Sequence, residues 1–150
     1  MKLSEKLQPA LIKVGLESQE KGALFGELVR LFVDRKLLHD QDAALTALLE
    51  REAKMSTGIS RGLALPHGKV KDVRSLLVAM GISKRGIDYQ SLDGEPVYVV
   101  IMVLAETGNP GPHIETLAEI SRLFSLPGFM ARLRQAGTAA EVMEIIRQEE

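Results

Sequence analysis

The sequence predicts an α/β fold: one layered domain over residues 1–150, with a central mixed sheet of about five strands and helices on both faces. Three observations predict it. Ser75 to Ile82 and Val97 to Ala105 are continuous apolar runs rich in β-branched residues, the pattern of strands covered on both faces. Segments with apolar residues at helical spacing precede and follow them. The two kinds are intermixed along the chain, which argues for layers packed around one sheet.

The elements follow in order. Leu11-Ile12-Lys13-Val14 alternates as a short strand and is closed by Gly15. Ser18 is the expected N-cap of a helix from about Gln19 to Asp34, whose apolar face carries Leu24, Leu28, Leu31 and Phe32. A second helix is expected after Asp40 to about Ala53, with Ala44, Leu45, Leu48 and Leu49 on its apolar face and Arg51 near its end. Leu63-Ala64-Leu65 reads as a short buried strand that delivers His67 to its rim. Pro66 fixes its own φ and pushes Leu65 towards an extended shape. Asp93-Gly94 marks a turn between the two long strands, and Glu106 to Pro112 is a loop by composition. Ile114, Leu117, Ala118, Ile120 and Leu123 give a helix whose first turn contains His113. Pro127 to Gln135 forms a further helix, and Thr138 with Glu141 is a capping box for the last, to about Gln148.

Composition narrows the function. Lys plus Arg number 19 and Asp plus Glu 20, so no basic excess exists to hold nucleic-acid phosphates. Cysteine is absent, which excludes disulfides and thiolate chemistry and fits a reducing compartment. The N-terminus has no apolar signal segment, and the most apolar run, Val97 to Ala105, is shorter than the roughly 20 residues a bilayer span needs. A cytoplasmic protein with no membrane insertion is expected. No cofactor is called for.

Three histidines are the chemical candidates. His39 lies between two helices and reads as a surface residue. His67 sits in Ser56-Thr57-Gly58-Ile59-Ser60-Arg61-Gly62-Leu63-Ala64-Leu65-Pro66-His67-Gly68-Lys69, where glycines and a proline make the backbone tight and closely approachable. His113 opens a helix after a strong strand, at the kind of helix N-terminus that favours an anion. No metal-ligand spacing joins the histidines. A Ser-His-Asp hydrolase is set aside for want of a Gly-x-Ser-x-Gly elbow, and no P-loop exists, since Val70 follows Lys69. What remains is histidine as a nucleophile towards phosphorus, giving a phosphohistidine. Such a site needs donors for the phosphoryl oxygens, and Arg51 and His113 are the natural choices.

These residues resemble a family. Arg51-Glu52, Ser56-Thr57-Gly58-Ile59 and Gly62 to Lys69 are similar to the phosphorylation-site signature of enzyme IIA domains. The likeness is to the mannitol/fructose class of the bacterial phosphoenolpyruvate-dependent phosphotransferase system, which includes stand-alone nitrogen-regulatory IIA proteins. It extends through Gly86 to Tyr89, Leu92 to Val97, His113, Leu117-Ala118 and Leu123-Phe124. The resemblance implies that His67 accepts a phosphoryl group from an HPr-like phosphocarrier, with His113 and Arg51 stabilising it in transfer. Thr57 and Gly68 are the implied phosphate-binding positions. A regulatory role is expected. The alternatives are a sugar-pathway IIA passing phosphate to a separate IIB component, and a binding-only domain without transfer. Two departures stand out: Arg61 where the family usually has Asn, and a stiff Asn109-Pro110-Gly111-Pro112 before His113.

Overall fold

A computed structural model describes residues 2–109 and 111–150. Met1 and Pro110 lie outside the described residues, so the loop expected from Glu106 to Pro112 is described only on either side of Pro110. Two 3-10 turns, Leu3–Glu5 and Pro9–Leu11, lead into β1 (Ile12–Val14). Then come α1 (Lys21–Asp34), α2 (Gln41–Lys54), β2 (Gly58–Ser60), β3 (Leu63–Ala64), β4 (His67–Val70), β5 (Leu77–Ile87) and β6 (Val97–Glu106). The chain ends in α3 (Gly111–Phe124), α4 (Phe129–Gln135) and α5 (Ala139–Glu149).

Among the described residues the sheet has six strands, where about five were expected. Its order is β1-β5-β6-β3-β2, and β4 also pairs with β6. β5 and β6 run antiparallel, while β1 lies parallel to β5, and β3 and β4 lie parallel to β6. β3 and β4 are therefore two pieces of one line along the same edge of β6. Alternation divides the core between the faces. Val78, Met80, Ile82, Val99, Ile101 and Val103 pack with α3, α4 and α5, whereas Leu77, Ala79, Val100, Met102 and Leu104 pack with α1 and α2.

Several elements differ from their sequence readings for local reasons. The cap of α1 is Glu20, whose carboxylate accepts from Ala23 N at 2.7 Å, so the helix starts at Lys21. Ser18 instead donates its backbone N–H to Glu27. The apolar face of α1 turns through Phe25 and Val29, which are fully buried. On α2 the buried positions are Ala44, Leu48 and Glu52, and Leu49 is exposed. β5 continues past Ile82 to Ile87 because β6 still pairs with it at Val97, although Lys84 and Arg85 there are exposed. α4 starts at Phe129 because Gly128 takes a left-handed φ of 78°. Thr138 caps α5 through Glu141 N, as expected. The returning Glu141 carboxylate lands on Gly137 N.

Arg61-Gly62 is the two-residue turn of the β2–β3 hairpin, with φ of 55° and 88°. Positive φ at both positions is the type I′ turn that Asn-Gly fits best. An arginine there is held left-handed at a cost of about 1–2 kcal/mol. Arg61→Asn is therefore expected to raise the unfolding midpoint by about 2–4 °C in a thermal melt. An unchanged or lowered midpoint would count against strain at this turn.

Candidate functional site

The sheet edge builds the site. Pro66 has no N–H to give the ladder, so the strand breaks between Ala64 and His67 while Val103 N still bonds to Pro66 O at 3.0 Å. The break turns the Leu65 carbonyl away from the sheet, and the His67 ring takes it at 2.8 Å through Nδ1. A carbonyl only accepts, so Nδ1 carries the proton. Nε2 is left as a bare lone pair. His67 thus opens β4; the expected strand end at Leu65 is an interruption.

The histidines meet here. Gly68 and Val70 lie on the α2 side of β4, which leaves His67 on the α3 side with the first turn of α3. The rings of His67 and His113 have centroids 5.1 Å apart at a 57° tilt. Gly111 and Pro112 belong to that first turn, where proline fits because its N–H is not needed. His113 Nδ1 is buried and has no hydrogen-bond partner among the described residues. Burial lowers the pKa of both rings. Arg51 lowers His67 further, against the opposing pull of the Leu65 bond and Glu52. His67 and Lys69 lower His113 further. Both imidazoles are neutral near pH 7.

Arg51 comes from the last turn of α2, and its Nη1 donates to Met55 O at 2.7 Å. It lies close enough for its charge to act on His67. Thr57 turns its side chain inward. It is 3% exposed, its hydroxyl donates to Glu52 at 2.6 Å, and the same oxygen lies 2.7 Å from the Tyr89 hydroxyl. The side chain is committed to the interior. Gly68 is constrained by packing as well, since a Cβ there would meet Ala47 of α2 at 3.1 Å. His39 stays outside the site; its backbone N–H bonds to Asp72.

The sequence reading gave no role to Glu52, Lys21 or Tyr89. Glu52 is buried, accepts from Lys21 Nζ and Thr57 N at 2.9 Å each, and joins Tyr89 through Thr57. Burial works against its charge, but the Thr57 hydroxyl, Lys21 and the Thr57 amide outweigh it. The carboxyl sits below the usual range. Burial pushes the Tyr89 phenol up. The signal for Glu52 was its spacing, since Ala44, Leu48 and Glu52 form one stripe four residues apart.

Gly58-Ile59-Ser60-Arg61-Gly62 has Gly-x-Ser-x-Gly spacing, which the hydrolase reading overlooked. Ser60 lies on the edge strand β2 and leads into a hairpin. A nucleophile elbow needs a strand-to-helix turn, so the hydrolase reading stays set aside. Among the described residues no three His, Cys, Asp or Glu side chains converge on a metal position. No described helix is long and apolar enough to cross a membrane.

The lowered histidines predict a pH effect on stability. Unfolded, each ring binds a proton near pH 6.5; folded, each resists it until a lower pH. Stability is then expected to fall as pH drops from 7 through 6.5, before the carboxylates titrate. A His67→Gln/His113→Gln variant should lose less stability between pH 7 and pH 5.5 in urea titrations. Equal losses would contradict the two lowered pKa values.

Known proteins share this fold. Residues 5–149 match the family described as "Phosphoenolpyruvate-dependent sugar phosphotransferase system, EIIA 2". The PTS system fructose-specific EIIABC component of Bacillus subtilis is 37% identical over 148 residues, which is 99% of this chain and 23% of that protein. The chain thus spans less than a quarter of that relative's length. Nitrogen regulatory protein IIA-Ntr from Neisseria meningitidis superposes with a TM-score of 0.88 at 27% identity, covering 96% of this chain and 98% of that one. A chain of the complex of enzyme IIA-mannitol and phosphorylated enzyme IIB-mannitol from Escherichia coli shares the fold, with a TM-score of 0.81 at 20% identity over 95% of this chain and 98% of that one.

Proposed function

The chain belongs to the phosphoenolpyruvate-dependent sugar phosphotransferase system EIIA 2 family, and from that membership we propose that His67 Nε2 is the atom that carries the phosphoryl group. Proteins of this family are phosphotransfer components that work through phosphohistidine. The single observation that carries the assignment is the His67 Nδ1 bond to Leu65 O at 2.8 Å, which leaves Nε2 unprotonated.

In the proposed step an HPr-like phosphocarrier docks with its phosphohistidine in line with Nε2. The donor's N–P bond breaks and its electron pair stays on the donor nitrogen. A new N–P bond forms at Nε2, while Nδ1 keeps its proton. The imidazole becomes cationic, and the Leu65 carbonyl offsets that charge. Arg51 and His113 hold the phosphoryl oxygens, as groups placed where charge develops. Thr57 supports the loop rather than the phosphate. Met55 and Ile114 are 58% and 63% exposed beside Arg51 and His113, which suits the apolar core of an interface with a docking protein.

For the onward step we propose transfer to a IIB-type acceptor. The 37% identity to a fructose-specific relative favours it. The second reading is the regulatory one, favoured by the TM-score of 0.88 to IIA-Ntr. Offering the phosphorylated protein a IIB domain separates them: rapid discharge fits transport, and retention of the label fits regulation.

The test of the acceptor is incubation with phosphoenolpyruvate, enzyme I and HPr, followed by intact mass and phosphorus NMR. The expected result is one acid-labile phosphoryl group on an Nε2 position of residue 67. No gain with any carrier would leave only a binding domain, and a gain on Nδ1 would overturn the tautomer assignment.

A further inference from the structure

We propose that Glu52 is a positioning residue that selects the tautomer of His67 through hydrogen bonds relayed by the backbone of Thr57 and Leu65. The inference rests on His67 being the phosphoryl acceptor. Its first link is the Glu52 carboxylate, fixed by Lys21 Nζ at 2.9 Å. The next is Thr57, which gives that carboxylate both its N–H at 2.9 Å and its hydroxyl at 2.6 Å. Residue 57 is thereby pinned at two points. Its own carbonyl takes Leu65 N at 2.9 Å. The Leu65 carbonyl in turn takes His67 Nδ1 at 2.8 Å. A partly buried ion pair is therefore linked to the nucleophilic ring by hydrogen bonds that pass through the backbone of Thr57 and Leu65.

Orientation is what the run supplies. A single bond from an imidazole to a loop carbonyl selects a tautomer only while that carbonyl points at the ring. Leu65 lies in the break between β3 and β4, where the ladder against β6 does not hold it. The hold comes from the other side, through Thr57. Arg51 is the neighbour of Glu52 on α2, so the carboxylate that fixes the ring also fixes the helix turn that presents the guanidinium.

Packing alone does not account for this residue. Glu52 completes the stripe of Ala44 and Leu48, where a leucine would also bury apolar surface. A buried ion pair adds little net stability over apolar residues of equal volume. The carboxylate brings what leucine lacks: two oxygens that hold the Thr57 N–H, the Thr57 hydroxyl and Lys21 together.

The test uses Glu52→Gln and Thr57→Val in the full chain. Long-range nitrogen–proton NMR reads the tautomer of His67, and the HPr-dependent mass gain reads the transfer rate. The expected result is that both variants shift His67 from Nδ1–H towards Nε2–H, and that transfer slows about ten-fold or more because the attacking nitrogen now holds the proton. If Glu52→Gln does not fold, Thr57→Val decides, since it leaves residue 57 held to the carboxylate at one point instead of two, and the proposal requires both. A folded variant with the parental tautomer, even at a lower melting temperature, overturns the proposal and leaves the network as scaffolding. A parent chain that takes up no phosphate refutes the acceptor reading instead, and the tautomer comparison still stands by itself.

Discussion

His67→Gln takes up no phosphoryl group from any phosphocarrier, at any concentration of enzyme I and HPr: that is the expected result. The reason lies in how differently the two imidazoles are held. His67 has one nitrogen tied to a carbonyl and so presents the other as a lone pair. His113 has no comparable tie, since its Nδ1 is buried without a partner among the described residues. It sits 5.1 Å from the His67 ring, where it can grip a transferred group. His113→Ala therefore keeps the mass gain and slows it, by about 10²–10³ if it is a full transition-state donor. Glutamine at 67 retains an amide able to bond to Leu65 O, so the fold should survive and circular dichroism should match the parent. An acid-labile gain in His67→Gln would mean that the carrier is another residue. Equal rates in His113→Ala and the parent would remove His113 from the transfer step.

The parts of this arrangement that the sequence disclosed are those with strong local chemistry. Val97 to Ala105 could hardly be anything but a central strand, and it is the strand against which β3, β4 and β5 all pair. Pro66 and its glycine neighbours marked the approach to His67, because such residues restrict or free the backbone whatever surrounds them. Other parts needed the tertiary structure. β4 is His67-Gly68-Lys69-Val70, with a single aliphatic side chain, so no periodicity betrays it. β2 is three residues at the sheet edge, with Ile59 exposed. Neither was read as a strand, so the sequence located only four of the six strands described. Glu52 was overlooked because a carboxylate in an apolar stripe reads as solvent-facing until its partners, 31 residues upstream at Lys21 and five downstream at Thr57, are placed beside it. Arg51 and His113 were brought to His67 by chemical need and family likeness, not by any pattern along the chain.

Gly68 packs tightly against α2, and that packing has its own consequence. Its position beside His67 suggested a backbone that a phosphoryl group approaches closely. In the structure the close approach is from α2. A Cβ at 68 would lie 3.1 Å from Ala47 Cβ, 3.3 Å from Ala47 C and 3.4 Å from Leu48 N. Two of those three atoms are helix backbone, which moves only if the whole helix moves. Valine adds two methyl groups beyond that Cβ, so Gly68→Val is expected to cost about 1–3 kcal/mol by overpacking. It should also lift the helix whose last turn carries Arg51 and Glu52, slowing phosphoryl uptake in the fraction that remains folded. A double-mutant cycle separates this from a direct phosphate contact. Ala47→Gly alone should destabilise by about 1 kcal/mol through helix propensity. Combined with Gly68→Ala it should cost less than the sum of the two single changes, because the glycine reopens the space that the new methyl fills. Strict additivity, with Gly68→Val as stable as the parent, would return Gly68 to the role the sequence first suggested.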